Sequence, residues 1–223
     1  MLSTINLTTN RDFRIRNFEE DKIATLNAHK GLRFVGKDKD YYIFCGNFYL
    51  TNPQGELIES FEIAIFIDKS YPNTFPSVVL LDNKIEKCDD YHISKEGVIC
   101  FEHTYVTNAI AKVGLRLYDF ANYYLPKYFS WVLIKQYGNS QNLQEWAHKD
   151  DGTKQFYEVL LDTTDKNTLR LFLETYCKVA KISRNDKCCC GSNKKLKHCH
   201  YDAGTFLKTI SRDDIQKDIQ LFQ

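Results

Sequence analysis

Residues 41–67 decide the fold, and they read YYIFCGNFYLTNPQGELIESFEIAIFI. Runs of aromatic and β-branched residues at 41–50 and 61–67 lie on either side of Asn52-Pro53-Gln54-Gly55, whose residue types favour a tight turn. This pattern predicts two antiparallel strands joined by that turn. Similar runs at 32–35 and 77–81 extend the prediction to a four-stranded antiparallel meander.

Helices are predicted on both sides of this meander. Apolar residues spaced among charges indicate an amphipathic helix at 12–29, whereas the polar stretch 82–96 is predicted to be irregular. The segment Tyr71-Pro72-Asn73-Thr74-Phe75-Pro76 cannot form a central strand, because each proline removes a donor from the ladder. Further helices are predicted at 115–124, 127–137, 142–148, 153–161 and 168–179, with Pro126, Gly138 and Gly152 as breaks. The predicted fold class is therefore α+β.

The composition is that of an ordinary globular protein. The chain has 223 residues, of which 43% are hydrophobic, with 30 Lys plus Arg against 29 Asp plus Glu. The length predicts one substantial domain plus an appendage. Neither a leader segment nor an apolar run near the ~20 residues of a membrane helix is visible, so we expect a cytoplasmic protein without a membrane partner.

The eight cysteines are unevenly spread, and four of them lie within twelve residues. Cys188 and Cys190 are followed, after eight residues, by Cys199 and His200. Three thiols and one imidazole are the ligands of a closed, structural zinc site, so zinc is the expected metal. Cys189 and His198 also lie in this segment, and we expect both to face away from the metal.

The same segment is strongly basic, because residues 181–200 contain six Lys and Arg residues against one Asp. Its lysines could contact phosphates or an acidic protein surface, or could simply be solvated. The near-neutral total charge argues against a wholesale nucleic-acid binder, so binding of nucleic acid is an alternative that the sequence does not favour.

Residues 184–200 resemble the SEC-C zinc motif, named for its occurrence at the C-terminus of the SecA translocation ATPase. The resemblance implies that Cys188, Cys190, Cys199 and His200 bind zinc. It also implies a structural or docking role, because four protein ligands leave no position open for a substrate.

A second resemblance rests on the order of elements. An N-terminal helix, a four-stranded meander, the Tyr-Pro segment 71–76, an irregular loop and then Gly97-Val98-Ile99-Cys100 resemble the ubiquitin-conjugating-enzyme fold over residues 10–162. Glu145-Trp146-Ala147-His148 is similar to a helical segment of the bacterial branch of that family. The resemblance implies that Cys100 carries a thioester.

His92 is the second candidate catalytic residue. It lies eight residues before Cys100, where eukaryotic members carry an asparagine that helps to stabilise the oxyanion. An imidazole can donate a hydrogen bond to an oxyanion or favour a thiolate; alternatively, His92 only holds the loop. His103 is expected to be exposed or structural. Cys45 and Cys177 are predicted to be core residues, and nothing near Cys88 suggests activation.

The implied activity is that of a ubiquitin-conjugating-enzyme-like acyl transferase. A thiolate attacks an activated C-terminal carbonyl, and an amine then takes the acyl group from the thioester. Small bacterial proteins of this type resemble the conjugating enzymes of antiphage CBASS operons, where the implied substrate is the C-terminus of a cGAS-like nucleotidyltransferase. No nucleotide-binding loop is visible, so a separate activating enzyme is expected.

Two other functions remain open at this point. The chain could be a non-catalytic binding module on the same fold, with Cys100 buried, or an adaptor that docks a protein or nucleic acid through the SEC-C region. The predicted organisation is a ubiquitin-conjugating-enzyme-like domain at 1–165, a connecting helix at 166–182, a zinc knuckle at 183–201 and a tail at 202–223. Ile215, Ile219 and Phe222 predict a short tail helix that packs back on its own domain.

Overall fold

The computed structural model describes residues 17–138 and 145–223. The described residues divide into two compact units, which we call the sheet unit (17–102 and 110–138) and the C-terminal unit (103–109 and 145–223). The helices and strands in chain order are α1 (Phe18–Ala28), β1 (Leu32–Lys37), β2 (Tyr41–Thr51), β3 (Leu57–Asp68), β4 (Ser77–Leu80), α2 (Thr104–Val113), α3 (Leu117–Tyr137), α4 (Lys149–Leu161), α5 (Lys166–Lys178), α6 (Tyr201–Leu207) and α7 (Arg212–Asp218).

The four strands form one antiparallel sheet in the order β1-β2-β3-β4, so the predicted α+β class and four-stranded meander are confirmed. Alternation along β3 explains the register. Phe61, Ile63 and Ile65 are buried on the face that carries the helices, whereas Glu62 points to the other face and is exposed. A register slip of one residue would expose this apolar set, which fixes the pairing.

Helix α3 supplies most of the helical side of the core. Phe129 stacks on Phe61 with ring centroids 4.1 Å apart and on Phe48 at 5.5 Å. The predicted break at Pro126 is wrong, because α3 runs through it from Leu117 to Tyr137. An interior proline costs about 3 kcal/mol, and the burial of large side chains on both sides of Pro126 offsets that cost.

Helix α1 is held to the start of α3 by the buried carboxylate of Asp21. This carboxylate accepts hydrogen bonds from the backbone N–H of Leu117 (2.6 Å) and from the hydroxyl of Tyr71. It also lies 3.4 Å from the N–H of Tyr118. A carboxylate at a helix N-terminus satisfies donors that have no partner within the helix and interacts favourably with its dipole. Residues 12–16 of the predicted first helix lie outside the described residues.

The sheet face opposite the helices carries one apolar row. Cys45 pairs with Ala64, Ala64 with Val79, and Val79 with Val98, which gives one continuous row across the strands. Cys45 is therefore half-buried on the outer face, and its prediction as a core residue is wrong. Cys177 is likewise half-buried, on α5, so its prediction as a core residue is also wrong.

The C-terminal unit is helical, and its tail packs onto α4 and α5. The hydroxyls of Tyr105 and Tyr157 both donate to Asp218, at 2.5 and 2.9 Å. The tail side chains Ile215, Ile219 and Phe222 are buried. The tail is thus an integral part of this unit.

Residues 145–148 are not helical, in contrast to the prediction for 142–148; residues 142–144 lie outside the described part of the chain. The side chain of Gln155 accepts from the N–H of Ala147 at 2.7 Å and donates to the carbonyl of Glu145 at 3.3 Å. Because these side-chain bonds satisfy backbone groups of Glu145 and Ala147, the segment can remain non-helical.

Within residues 17–138 and 145–223, none of the helices is long and apolar enough to cross a bilayer.

Candidate functional site

Cys100 ends a short hairpin that we call the flap, residues 92–100. Ser94 donates to the carbonyl of Val98 at 2.9 Å, Ile93 pairs with Ile99, and the N–H of Cys100 donates to the carbonyl of His92 at 2.8 Å. The eight-residue spacing of His92 and Cys100 therefore makes them direct neighbours across the flap. The two predicted catalytic residues are brought together at the backbone level.

The flap is attached to the edge of the sheet. The N–H of Leu80 donates to the carbonyl of Gly97 at 2.8 Å, and the N–H of Ile99 donates to Val78 at 2.9 Å. Gly97 has φ +89°, and a Cβ there would lie 2.7 Å from the Leu80 carbonyl oxygen. Glycine is required at this position both by conformation and by space.

His92 adopts a left-handed conformation with φ 54° at the end of a 3₁₀ turn, Asp89–Tyr91. Its ring centroid lies 5.6 Å from that of Trp131 on α3. The half-buried ring therefore packs beside α3 while its carbonyl holds Cys100.

Cys100 is exposed, and the next side chain, Phe101, points inward. Phe101 packs edge-on against Phe120 at 5.3 Å and Tyr128 at 5.4 Å. The packing of Phe101 therefore fixes the backbone beside the Cys100 sulfur. The Sγ of Cys100 lies 3.6 Å from the carbonyl oxygen of Glu102.

One face of α3 flanks residues 100–102. Tyr124, Lys127 and Tyr128 lie three and four residues apart and so share that face. Lys127 Nζ forms a 2.6 Å ion pair with Glu102 Oε1. The hydroxyl of Tyr128 donates to the carbonyl of Tyr91 at 2.7 Å, which ties α3 to the turn before the flap.

The electrostatics around Cys100 disfavour the thiolate. Partial removal of solvent raises the pKa of the Cys100 thiol, and the negative charge of Glu102 raises it further. Burial, and then the proximity of Cys100, raises the pKa of Tyr128.

Cys188, Cys190, Cys199 and His200 form a compact cluster in which the four ligand atoms lie within 4.8 Å of one another. His200 Nδ1 is 3.3 Å from the Sγ of Cys188 and 3.2 Å from that of Cys199, and the sulfurs of Cys190 and Cys199 are 3.6 Å apart. Tetrahedral Zn–S bonds of about 2.3 Å would place two sulfurs about 3.8 Å apart. The predicted metal ligands are thus brought together at spacings that suit one tetrahedral ion.

Local backbone bonds position these ligands. Lys187 pairs with Lys195, and the N–H of Cys188 donates to the carbonyl of Lys194 at 2.8 Å, which closes a small hairpin. Gly191 turns within it at φ +79°. His200 Nε2 lies 3.1 Å from the carbonyl of Leu161, the last residue of α4. Such a contact on the second nitrogen orients an imidazole whose first nitrogen binds a metal.

Cys189 and His198 do not belong to the cluster. Cys189 is buried, and this burial raises its pKa to about 11, whereas His198 is exposed.

The other two residues considered from the sequence, His103 and Cys88, are both partly buried. His103 belongs to the C-terminal unit, where its ring stacks on Phe156 at 4.9 Å and its Nε2 lies 3.4 Å from the hydroxyl of Thr153. Burial lowers the pKa of His103. Cys88 is half-buried before the flap.

Sequence reasoning missed Glu102 and Lys127. The only sequence signal for this pair is the position of Glu102 two residues after Cys100, because Lys127 lies 25 residues further along the chain.

Comparison with known proteins bears on the C-terminal region. Residues 184–202 match the SEC-C motif, as the sequence pattern predicted. No curated protein and no solved structure matches the chain.

Proposed function

We propose that this protein is a ubiquitin-conjugating-enzyme-like acyl transferase in which Cys100 carries a thioester. The observation that carries the proposal is the flap, which presents an exposed cysteine directly opposite His92 at the edge of a four-stranded antiparallel meander. The order of helix, meander, flap and helices supports it further.

The chemistry needs few groups beyond the cysteine. The Cys100 thiolate attacks the carbonyl carbon of an activated C-terminus, an S–C bond forms, and the activating group leaves. An amine then attacks the same carbonyl, the thiolate leaves, and the nitrogen releases a proton. His92 is the proposed oxyanion donor. A thiolate with a raised pKa is scarce at neutral pH, but it is intrinsically a strong nucleophile once formed.

The proposed acyl donor is the C-terminus of a protein. The proposed protein is a cGAS-like nucleotidyltransferase of an antiphage CBASS system. This substrate class rests on the resemblance of the element order and is proposed together with a separate activating enzyme.

We further propose that zinc occupies the Cys188, Cys190, Cys199 and His200 cluster. The donor set fits: three sulfurs and one imidazole converge, and the second nitrogen of His200 already has a backbone partner. Zinc there would supply structural stability, because a four-ligand site has no open position.

The transferase proposal is tested with a peptide that ends in a C-terminal mercaptoethanesulfonate thioester, which replaces the activating enzyme. Incubation with the full chain should give an adduct that increases the mass by one acyl peptide and is released by an excess of a small thiol but not by a phosphine reductant. Cys100→Ala should abolish this adduct, and Cys88→Ala, which removes a nearby half-buried thiol, should retain it. Equal adduct on the Cys100→Ala variant would refute the proposal and favour a non-catalytic binding module.

A further inference from the structure

Lys127 is joined to the region of the proposed thioester through Glu102. The carbonyl oxygen of Glu102 lies 3.6 Å from the Cys100 sulfur, and its carboxylate forms an ion pair with Lys127 Nζ at 2.6 Å. A single residue therefore links the sulfur to the lysine.

The packing of helix α3 against Phe101 keeps Lys127 on the helix face that flanks residues 100–102. Tyr124 and Tyr128 belong to the same helical face, and both contact Phe101, the residue after Cys100, at centroid distances of 6.4 and 5.4 Å. Because these rings are packed, the stem of Lys127 starts from a fixed point beside the cysteine. Its four-carbon chain is flexible, and about half of the side chain is exposed (47%), so the amine can leave Glu102 without disturbing the core.

The Glu102 side chain is much less exposed, at 13%. It is thus a fixed carboxylate next to a mobile amine. A carboxylate in this place can hold the ammonium group near the thioester and can accept the proton that the nitrogen loses on attack.

We propose that Lys127 is an acceptor of the acyl group carried by Cys100, through transfer within one chain. This inference rests on the proposed function, since it needs the thioester. The ammonium group of Lys127 first loses one proton to solvent. The neutral Nζ then attacks the thioester carbonyl, a C–N bond forms, the C–S bond breaks, and Cys100 leaves as thiolate. The second proton that the nitrogen loses passes to Glu102 and then to solvent or to the departing sulfur. The product is an isopeptide bond at Lys127, and no oxidant or reductant is required.

The variant Lys127→Arg isolates this step. Arginine retains the ion pair with Glu102 but is not a competent acyl acceptor, because its guanidinium stays protonated. Lys135→Arg is the matched control: Lys135 lies two turns further along α3, and its Nζ donates to the carbonyl of Asp90 at 2.7 Å.

The experiment loads the full chain with the same peptide thioester and follows the adduct over time. In the wild type, the adduct that an excess of small thiol releases should convert into a thiol-resistant adduct of equal mass, which tryptic mapping places at Lys127. In Lys127→Arg, the releasable adduct should persist at least about tenfold longer, whereas Lys135→Arg should behave as wild type. The conversion rate should not change when the protein is diluted.

Three results would overturn the inference. Resistant adduct that forms equally fast in Lys127→Arg, or that maps to another lysine, removes Lys127 as the acceptor. Resistant adduct at Lys127 in Cys100→Ala shows direct acylation from the donor instead of transfer from the cysteine. Absence of any releasable adduct on the wild type overturns the proposed function itself, and the inference with it.

Discussion

The Cys100 side chain is exposed, and the charge beside it favours the protonated thiol over the thiolate. The sulfur is flanked by the Glu102 carbonyl and by its carboxylate, and the negative charge makes ionisation less favourable. An environment of this kind keeps the resting thiol from reacting with unrelated electrophiles. Cys100 thus differs from cysteines beside a cation, whose pKa is lowered so that the thiolate is present before a substrate binds.

The pH dependence of alkylation at Cys100 should report this environment. Iodoacetamide labelling, mapped by mass spectrometry, should show a midpoint above the ordinary thiol value, because partial burial and Glu102 both raise the pKa. Glu102→Gln should lower the midpoint, since it removes the negative charge and leaves Lys127 nearby as a cation. Glu96→Gln, on the exposed turn of the flap, should leave it unchanged. A midpoint that stays constant in Glu102→Gln would contradict this electrostatic account.

Residues with distant partners could not be predicted from the sequence. The four residues of the Cys/His cluster could be predicted, because they lie within thirteen residues and their spacing identifies a motif. Asp21 looks like one of three successive acids in the first turn of α1, and only its contact with Leu117, 96 residues away, shows it to be buried and bonded. Glu102 and Lys127 were missed for the same reason.

At the scale of elements, the flap depends on one glycine. The flap pairs with β4 through Gly97, and the close approach of the Leu80 carbonyl leaves no room for a side chain. The strand register therefore determines where Cys100 and His92 lie.

Gly97→Ala should destabilise the sheet unit more than Gly55→Ala. Both residues have positive φ, at +89° and +84°, so both substitutions incur a backbone cost of about 1 kcal/mol. A Cβ at Gly55 meets nothing within 4 Å, whereas at Gly97 it lies 2.7 Å from Leu80 oxygen. We expect a loss of about 3 kcal/mol for Gly97→Ala in urea unfolding. Equal losses would show that the flap moves freely away from β4.

Strands were easier to predict than helix boundaries. Alternating burial along β2 and β3 is a local signal, and the predicted strands all exist. The continuation of α3 through Pro126 depends on core packing, and the non-helical state of 145–148 depends on the side chain of Gln155. Neither effect is encoded in the neighbouring residues alone.

At the scale of the molecule, the chain has one tryptophan in each unit, Trp131 in the sheet unit and Trp146 in the C-terminal unit. The proposed zinc cluster belongs to the C-terminal unit and contacts the end of α4 through His200. The tail helix α7 belongs to the same unit, so its stability should depend on the metal.

Removal of zinc should therefore change the unfolding transition that Trp146 fluorescence reports and leave the transition that Trp131 reports unchanged. In Trp131→Phe, where Trp146 is the remaining tryptophan, chelation should lower the unfolding midpoint of the fluorescence transition. The expected loss is about 3 kcal/mol or more, since a hundredfold excess of metal over its Kd contributes about 2.7 kcal/mol. In Trp146→Phe, the transition should not respond.

Two cysteine variants control this measurement. Cys190→Ser should abolish bound zinc and the response to chelator, whereas Cys189→Ala should retain one zinc per chain, because Cys189 lies outside the cluster. Retention of zinc by Cys190→Ser would contradict the proposed ligand set.

The buried carboxylate of Asp21 also determines the order in which elements can pack while the chain is being synthesised. The ribosome adds about 5–20 residues per second, and β1 to β4 are complete well before Leu117 and Tyr118 exist. Until those two amides emerge, docking of α1 would bury the carboxylate without two of the donors that the described residues supply to it, and the Tyr71 hydroxyl would remain as the third. The nascent sheet must therefore wait with one side of its core uncovered, and a chain terminated between residues 81 and 116 would remain in that state.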